Sequence, residues 1–237
     1  QGSAPGISLH RFEGDTSQRV VEGRNIGSFS FSPDMSHIAF EKETSSVGNI
    51  WIKNLSTGKE TNVTRRNVAN GAPSWSADGK YLYFRSNRFG DGIHILPMQD
   101  DPARGTELEL KYEKVAAPKT TFDDNNPHLR IRRLNGQPNQ GKIFSDPETG
   151  ALYYLSGGDL WVCNYDGENL RRMTAGNDIG DFEVTPDNNA FTFVKGGLPH
   201  KFEFRRQNAQ PAAPPFRASR TRDVRKERAA ALYGFYR

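Results

Sequence analysis

Ser28-Phe29-Ser30-Phe31-Ser32-Pro33-Asp34-Met35-Ser36-His37-Ile38-Ala39-Phe40 places an alternating apolar strand, a tight Pro/Asp turn and a second apolar strand in one short run. The pattern returns as Pro73-Ser74-Trp75-Ser76-Ala77-Asp78-Gly79-Lys80-Tyr81-Leu82-Tyr83-Phe84. Weaker copies lie at Ile143-Phe144-Ser145-Asp146-Pro147-Glu148-Thr149-Gly150-Ala151-Leu152-Tyr153-Tyr154-Leu155 and Phe182-Glu183-Val184-Thr185-Pro186-Asp187-Asn188-Asn189-Ala190-Phe191-Thr192-Phe193. A unit this small cannot bury its own apolar face, so recurrence means stacking of neighbours around a shared core. Asp34, Asp78 and Asp187 sit where a short acceptor side chain bonds turn amides, and Gly79 accepts positive φ, so these aspartates read as turn-builders rather than metal or acid groups.

A third strand follows in three copies, at Asn49-Ile50-Trp51-Ile52, Gly92-Ile93-His94-Ile95 and Asp159-Leu160-Trp161-Val162. Polar fourth strands follow turns in Thr57 to Thr64 and Asp166 to Thr174. Four antiparallel strands with an aromatic middle and a polar outer strand describe one blade of a β-propeller. Asp34 and Asp78 stand about 44 positions apart, and Pro147 and Pro186 about 39, near the period of ~40–45 residues for such blades. The longer interval between Asp78 and Pro147 holds an insert, Leu108 to Asn139, whose Leu129-Arg130-Ile131-Arg132-Arg133-Leu134 alternates like a strand. That run either replaces an outer strand or extends the channel rim.

The predicted class is therefore all-β, with four to five propeller blades over 1–210, a Pro-rich linker over 211–220 and the start of a short C-terminal helix over 221–237. Propellers close with ~4–8 blades, and an open arc would leave two sheet faces in water. The chain is accordingly expected to be part of a larger ring.

Composition fits a globular chain of 237 residues, with 35% hydrophobic and 25% charged residues. No run approaches the ~18 apolar residues of a membrane-spanning helix, and Gln1 to Gly6 lacks the basic and apolar regions of a signal peptide. The net charge of +4 resides in the tail, where Arg217, Arg220, Arg222, Arg225, Lys226, Arg228 and Arg237 face only Asp223 and Glu227. A nearly neutral body gives no broad footprint for nucleic acid. Cys163, flanked by apolar residues, reads as a packing residue. No Gly-x-Ser-x-Gly occurs, and His10, His37, His94, His128 and His200 lack ligand spacing, so no catalytic residue, metal or cofactor is expected. Asp123-Asp124 and Asp100-Asp101 read as solvated loops.

The Ser-Pro-Asp turn at Ser32-Pro33-Asp34 with Ile38-Ala39-Phe40, and Ser76-Ala77-Asp78-Gly79-Lys80 with Tyr81-Leu82-Tyr83-Phe84, resemble the PD40 or TolB-like (WD40-like) blades of the bacterial tricorn-like peptidases of family S41. The Pro-rich stretch from Pro211 and the basic segment to Arg237 look like the exit from such a propeller toward a catalytic region. Met35-Ser36, Asn188-Asn189 and Phe235-Tyr236 depart from the pattern. The resemblance implies an exported bacterial protein, periplasmic or extracellular with a cytoplasmic site left open. It implies an oligomeric serine peptidase whose propeller gates peptides or unfolded polypeptide toward catalytic and further propeller parts beyond these residues. None of that family's catalytic motif is matched here. The alternative is a TolB-like scaffold propeller without enzymatic activity, and a third reading is a propeller linked to an amidohydrolase.

Arg88, Asp91 and Arg130, in predicted inter-strand loops, are the expected channel-rim residues that meet peptide. In the tail Val224, Arg228, Ala231, Leu232 and Phe235 fall on one helical stripe, so Val224, Leu232, Phe235 and Tyr236 are expected to dock on a neighbouring domain.

Overall fold

The computed structural model describes residues 5–11, 14–44, 46–99, 112, 114–134, 140–185 and 189–204. The predicted C-terminal helix, with Val224, Leu232, Phe235 and Tyr236, lies outside these described residues. A first hairpin pairs β1 (Gly6–Arg11) with β2 (Thr16–Glu22). Blade I follows as β3 (Ile26–Phe31), β4 (His37–Thr44), β5 (Val47–Asn54) and β6 (Glu60–Asn62). Blade II is β7 (Asn70–Trp75), β8 (Tyr81–Ser86), β9 (Gly92–Pro97) and β10 (Arg132–Arg133). Blade III is β11 (Gln140–Ser145), β12 (Leu152–Ser156), β13 (Asp159–Cys163) and β14 (Arg171–Arg172). Blade IV is three-stranded, with β15 (Phe182–Val184), β16 (Ala190–Lys195) and β17 (Leu198–Glu203). Each strand pairs antiparallel with the next in its sheet, as the repeat predicts.

The turn between the first and second strands is built by the same atoms in blades I, II and IV. Ser32 N–H donates to His37 O and His37 N–H to Ser32 Oγ, both at 2.9 Å. Ser76 and Tyr81 make the same exchange, again at 2.9 Å, and Thr185 and Ala190 do so in blade IV. Asp34 Oδ1 accepts from Ser32 Oγ and from Ser36 N–H, while Asp78 Oδ1 accepts from Ser76 Oγ and Lys80 N–H. Asp34 and Asp78 are thus turn-builders, as expected; Asp187 lies outside the described residues. Gly79 has φ 75°, and Met35, at the matching place in blade I, has φ 56°.

Both faces of each middle blade are apolar, so alternate side chains of one strand enter different cores. Ile38 and Phe40 pack toward the hairpin on Ile7, Val20 and Val21, whereas Ala39 turns to blade II. Leu82 and Phe84 face blade I, and Tyr81 and Tyr83 face blade III. Leu152 and Tyr154 return that contact, while Tyr153 and Leu155 meet Phe191, Phe193 and Phe202 of blade IV. The other face of blade IV is exposed at Glu183, Thr192, Val194, Pro199 and Lys201.

The insert of blade II is laid over the neighbouring blade. Thr120 N–H donates to Asp34 Oδ2 at 2.7 Å, Phe122 packs on the core between blades I and II, and Asp124 pairs with Lys59. Pro127–Leu129 forms a 3-10 turn, after which Arg132 and Arg133 supply the short outer strand. Of the two outcomes left open for this run, replacement of an outer strand is the one observed.

The central cavity as candidate functional site

A glycine stands five residues before the turn residue of every blade: Gly27, Gly71, Gly141 and Gly180 precede Ser32, Ser76, Asp146 and Thr185. Just after it the ladder of the innermost strand is interrupted, between Ile26 and Phe29, between Gly71 and Ser74, and between Gln140 and Ile143. Bulges bend a strand, leave backbone groups unpaired and gather at rims and sites. Here they fall in register on three adjacent blades.

These inner strands enclose a cavity of about 1090 Å³, lined by residues of β3, β7, β11 and β15 and by Glu41, Arg85 and Asp91. Arg85 grips Asp91 with two hydrogen bonds of 3.2 Å. Lys142 meets Glu183 at 2.6 Å and Asp181 at 4.0 Å, linking blades III and IV. Glu41 Oε2 accepts from Ser28 Oγ at 3.0 Å, and Ser28 Oγ in turn accepts from Ala72 N–H at 2.9 Å. Among the described residues Glu41 pairs with no cation.

The expected rim residues separate. Asp91 lines the cavity; Arg88 and Arg130 are not among its lining. Arg88 is half-buried between β8 and β9, with its guanidinium 5.1 Å from the Phe89 ring centre and Nη1 3.5 Å from Thr64 O. Burial and the nearby Arg66 charge lower its pKa. Arg130 is 8% exposed and donates to the carbonyls of Pro97, Met98, Asn125 and Asp123, so its guanidinium ties the insert to β9.

Glu41 and Arg85, which sequence reasoning missed, occupy the same place in blades I and II, one residue beyond Phe40 and Phe84. Their counterparts in blades III and IV are Leu155 and Val194. The available signal was a charge at a repeat position where the other copies are apolar, together with the glycine that heads each copy.

Other groups are inert packing elements. His94 is fully buried between the rings of Phe84 and Phe89, at 5.9 and 5.8 Å, and burial lowers its pKa. Burial pushes the Cys163 thiol up to about 12. Among the described residues no group of three or more His, Cys, Asp and Glu could hold a metal ion, and no helix is long and apolar enough to cross a membrane.

No protein-family model matches the chain, and no curated protein matches it. Solved structures share its fold. The tricorn protease superposes with a TM-score of 0.64 at 16% identity over 86% of this chain and 24% of that one. TolB from Acinetobacter baumannii gives 0.59 at 17% identity over 87% of this chain and 48% of that one. A nidogen/laminin complex gives 0.59 at 14% identity, over 86% and 73%. The chain therefore has the β-propeller architecture of tricorn and TolB-like proteins, and spans about a quarter of the tricorn protease and about half of TolB.

Proposed function

We propose that these blades form the non-catalytic propeller portion of a tricorn-like S41 serine peptidase, exported from a bacterial cell, which guides peptides or unfolded polypeptide and supports assembly. The observation that carries this reading is the central cavity, whose wall combines in-register bulges with Ser28, Glu41, Arg85 and Lys142. The interrupted ladders of blades I and III take backbone groups out of strand pairing, where they can bond an extended chain, and such main-chain contacts are indifferent to sequence. Asp91 is kept as a rim residue, while Arg88 and Arg130 would act from outside the cavity. The segment 221–237 would lead into a downstream domain, with Val224, Leu232, Phe235 and Tyr236 docking there.

A fluorescently labelled unstructured peptide titrated with this chain should show saturable binding without cleavage. Absence of binding, or hydrolysis by the purified chain, would refute the proposal. The likeness to TolB favours a second reading, a scaffold propeller that holds folded partners. Capture of a folded protein with no affinity for unstructured peptide would favour that scaffold.

A further inference from the structure

We propose that Glu41 and Asn70 form a subsite for a primary ammonium group inside the central cavity, an inference that rests on the peptide-binding reading. Both residues line the cavity. Asn70 is 4% exposed, and its Nδ2 donates to Gly48 O at 3.0 Å and to Val68 O at 2.6 Å. Those two carbonyls fix the amide orientation and leave Oδ1 as a buried acceptor with no partner among the described residues. A buried acceptor left empty is costly, and most such groups in folded proteins are satisfied.

Glu41 adds charge near Asn70: a Cβ on Gly48 would meet both the Asn70 backbone oxygen, at 2.6 Å, and Glu41 Oε1, at 2.8 Å. Among the described residues its one side-chain donor is the Ser28 hydroxyl, whose oxygen is already engaged by the Ala72 N–H. Three glycines let the carboxylate lie close against the backbone. A Cβ on Gly27, Gly48 or Gly71 would come within 2.9, 2.8 and 2.9 Å of Glu41 carboxylate atoms. None of the three has positive φ; a side chain at Gly27 or Gly71 would meet the carboxylate first, and one at Gly48 would meet the Asn70 carbonyl oxygen at 2.6 Å as well as the carboxylate.

A carboxylate and a neutral amide oxygen, with no cation paired to them among the described residues, call for a ligand rich in N–H donors. A lone carboxylate with one amide oxygen is too sparse for calcium, which takes ~6–8 oxygens. An ammonium is a compact charge with three donors and suits both acceptors. The peptide amino terminus and a lysine side chain both provide it.

Three C-terminally amidated peptides test the site by calorimetry with the full chain: one with a free amino terminus and no lysine, its N-acetylated twin, and the acetylated twin carrying one lysine. Acetylation should weaken binding about tenfold or more, as expected for losing a charge-assisted hydrogen bond. Tighter binding of the lysine peptide than of the acetylated twin would show that the site accepts either source of the group; failure of lysine to restore affinity would restrict it to the amino terminus. Glu41→Gln should weaken the free-amine peptide by a similar factor and the acetylated twin by much less, so that the two peptides bind alike. Gly71→Ala, which crowds the carboxylate, should reproduce the selective loss. Equal affinity of the free and acetylated peptides overturns the subsite while peptide binding stands; no binding of any peptide overturns both.

Discussion

The Thr174 hydroxyl donates to Asp159 Oδ1 across 3.0 Å while accepting the Leu160 N–H at 2.9 Å, which closes the outer half of blade III. Thr64 does the same in blade I, donating to Asn49 Oδ1 at 2.9 Å and accepting from Ile50 N–H at 3.1 Å. Both threonines and both acceptors are buried. Replacing either threonine with valine orphans a buried amide and removes a donor, so each change should cost about 1–3 kcal/mol in denaturant unfolding. Thr174→Val should be the worse of the two, because its acceptor is a carboxylate and charge-assisted bonds are stronger. Serine at either position should restore most of the loss.

Met35 holds φ 56° where blade II has Gly79 at φ 75°. A side chain in this left-handed region costs about 1–2 kcal/mol, and Met35 is 49% exposed with little packing to lose. Met35→Gly should therefore raise the melting temperature by about 2–4 °C, less than the full relief because glycine also loosens the unfolded chain. A lowered melting temperature would contradict this account.

Burial lowers the pKa values of His94 and His37 below the ordinary histidine range. A group that is harder to protonate when folded makes the unfolded state bind more protons, so stability rises with pH. The contribution is complete above about pH 6.5, the unfolded value, and is lost as pH falls from there toward the folded values. Melting temperature should fall between pH 7 and pH 5. His94→Phe, which keeps the stack on Phe84 and Phe89, should flatten that slope.

Arg130 is the rivet of the insert. Arg130→Met leaves several carbonyls without their donor and should cost about 2 kcal/mol or more. Arg130→Lys should rescue little, since an ammonium cannot span the fork of acceptors that a guanidinium reaches. Full stability of the lysine variant would show that charge alone suffices.

The Cys163 thiol, 2% exposed and pushed up to about 12, should ignore Ellman's reagent in the native protein. One equivalent should react after denaturation. Rapid native labelling would mean that the core between blades II and III opens readily.

The blades were legible in the sequence because a two-residue period and an Asp-containing turn are local properties: Phe31, Asp34 and Ile38 declare strand, turn and strand without knowing their neighbours. The cavity was much less so. Asp91 was found as a loop charge, but Glu41 lies in a strand, between Gly27 and Gly48 on the flanking strands of its own blade, and only the stacking of blades I and II brings Gly71 to its carboxylate. Arg130 shows the converse: an exposed loop arginine by sequence, it is drawn inward by carbonyls that the insert brings together through folding.

Aromatic and aliphatic contacts are divided among separate seams, one at each junction between neighbouring sheets. Among the described residues blades I to III are clamped on two flanks, whereas the hairpin and blade IV are each clamped on one. Amide exchange should therefore advance inward from these margins, with the most slowly exchanging protons around Phe84 and Tyr154.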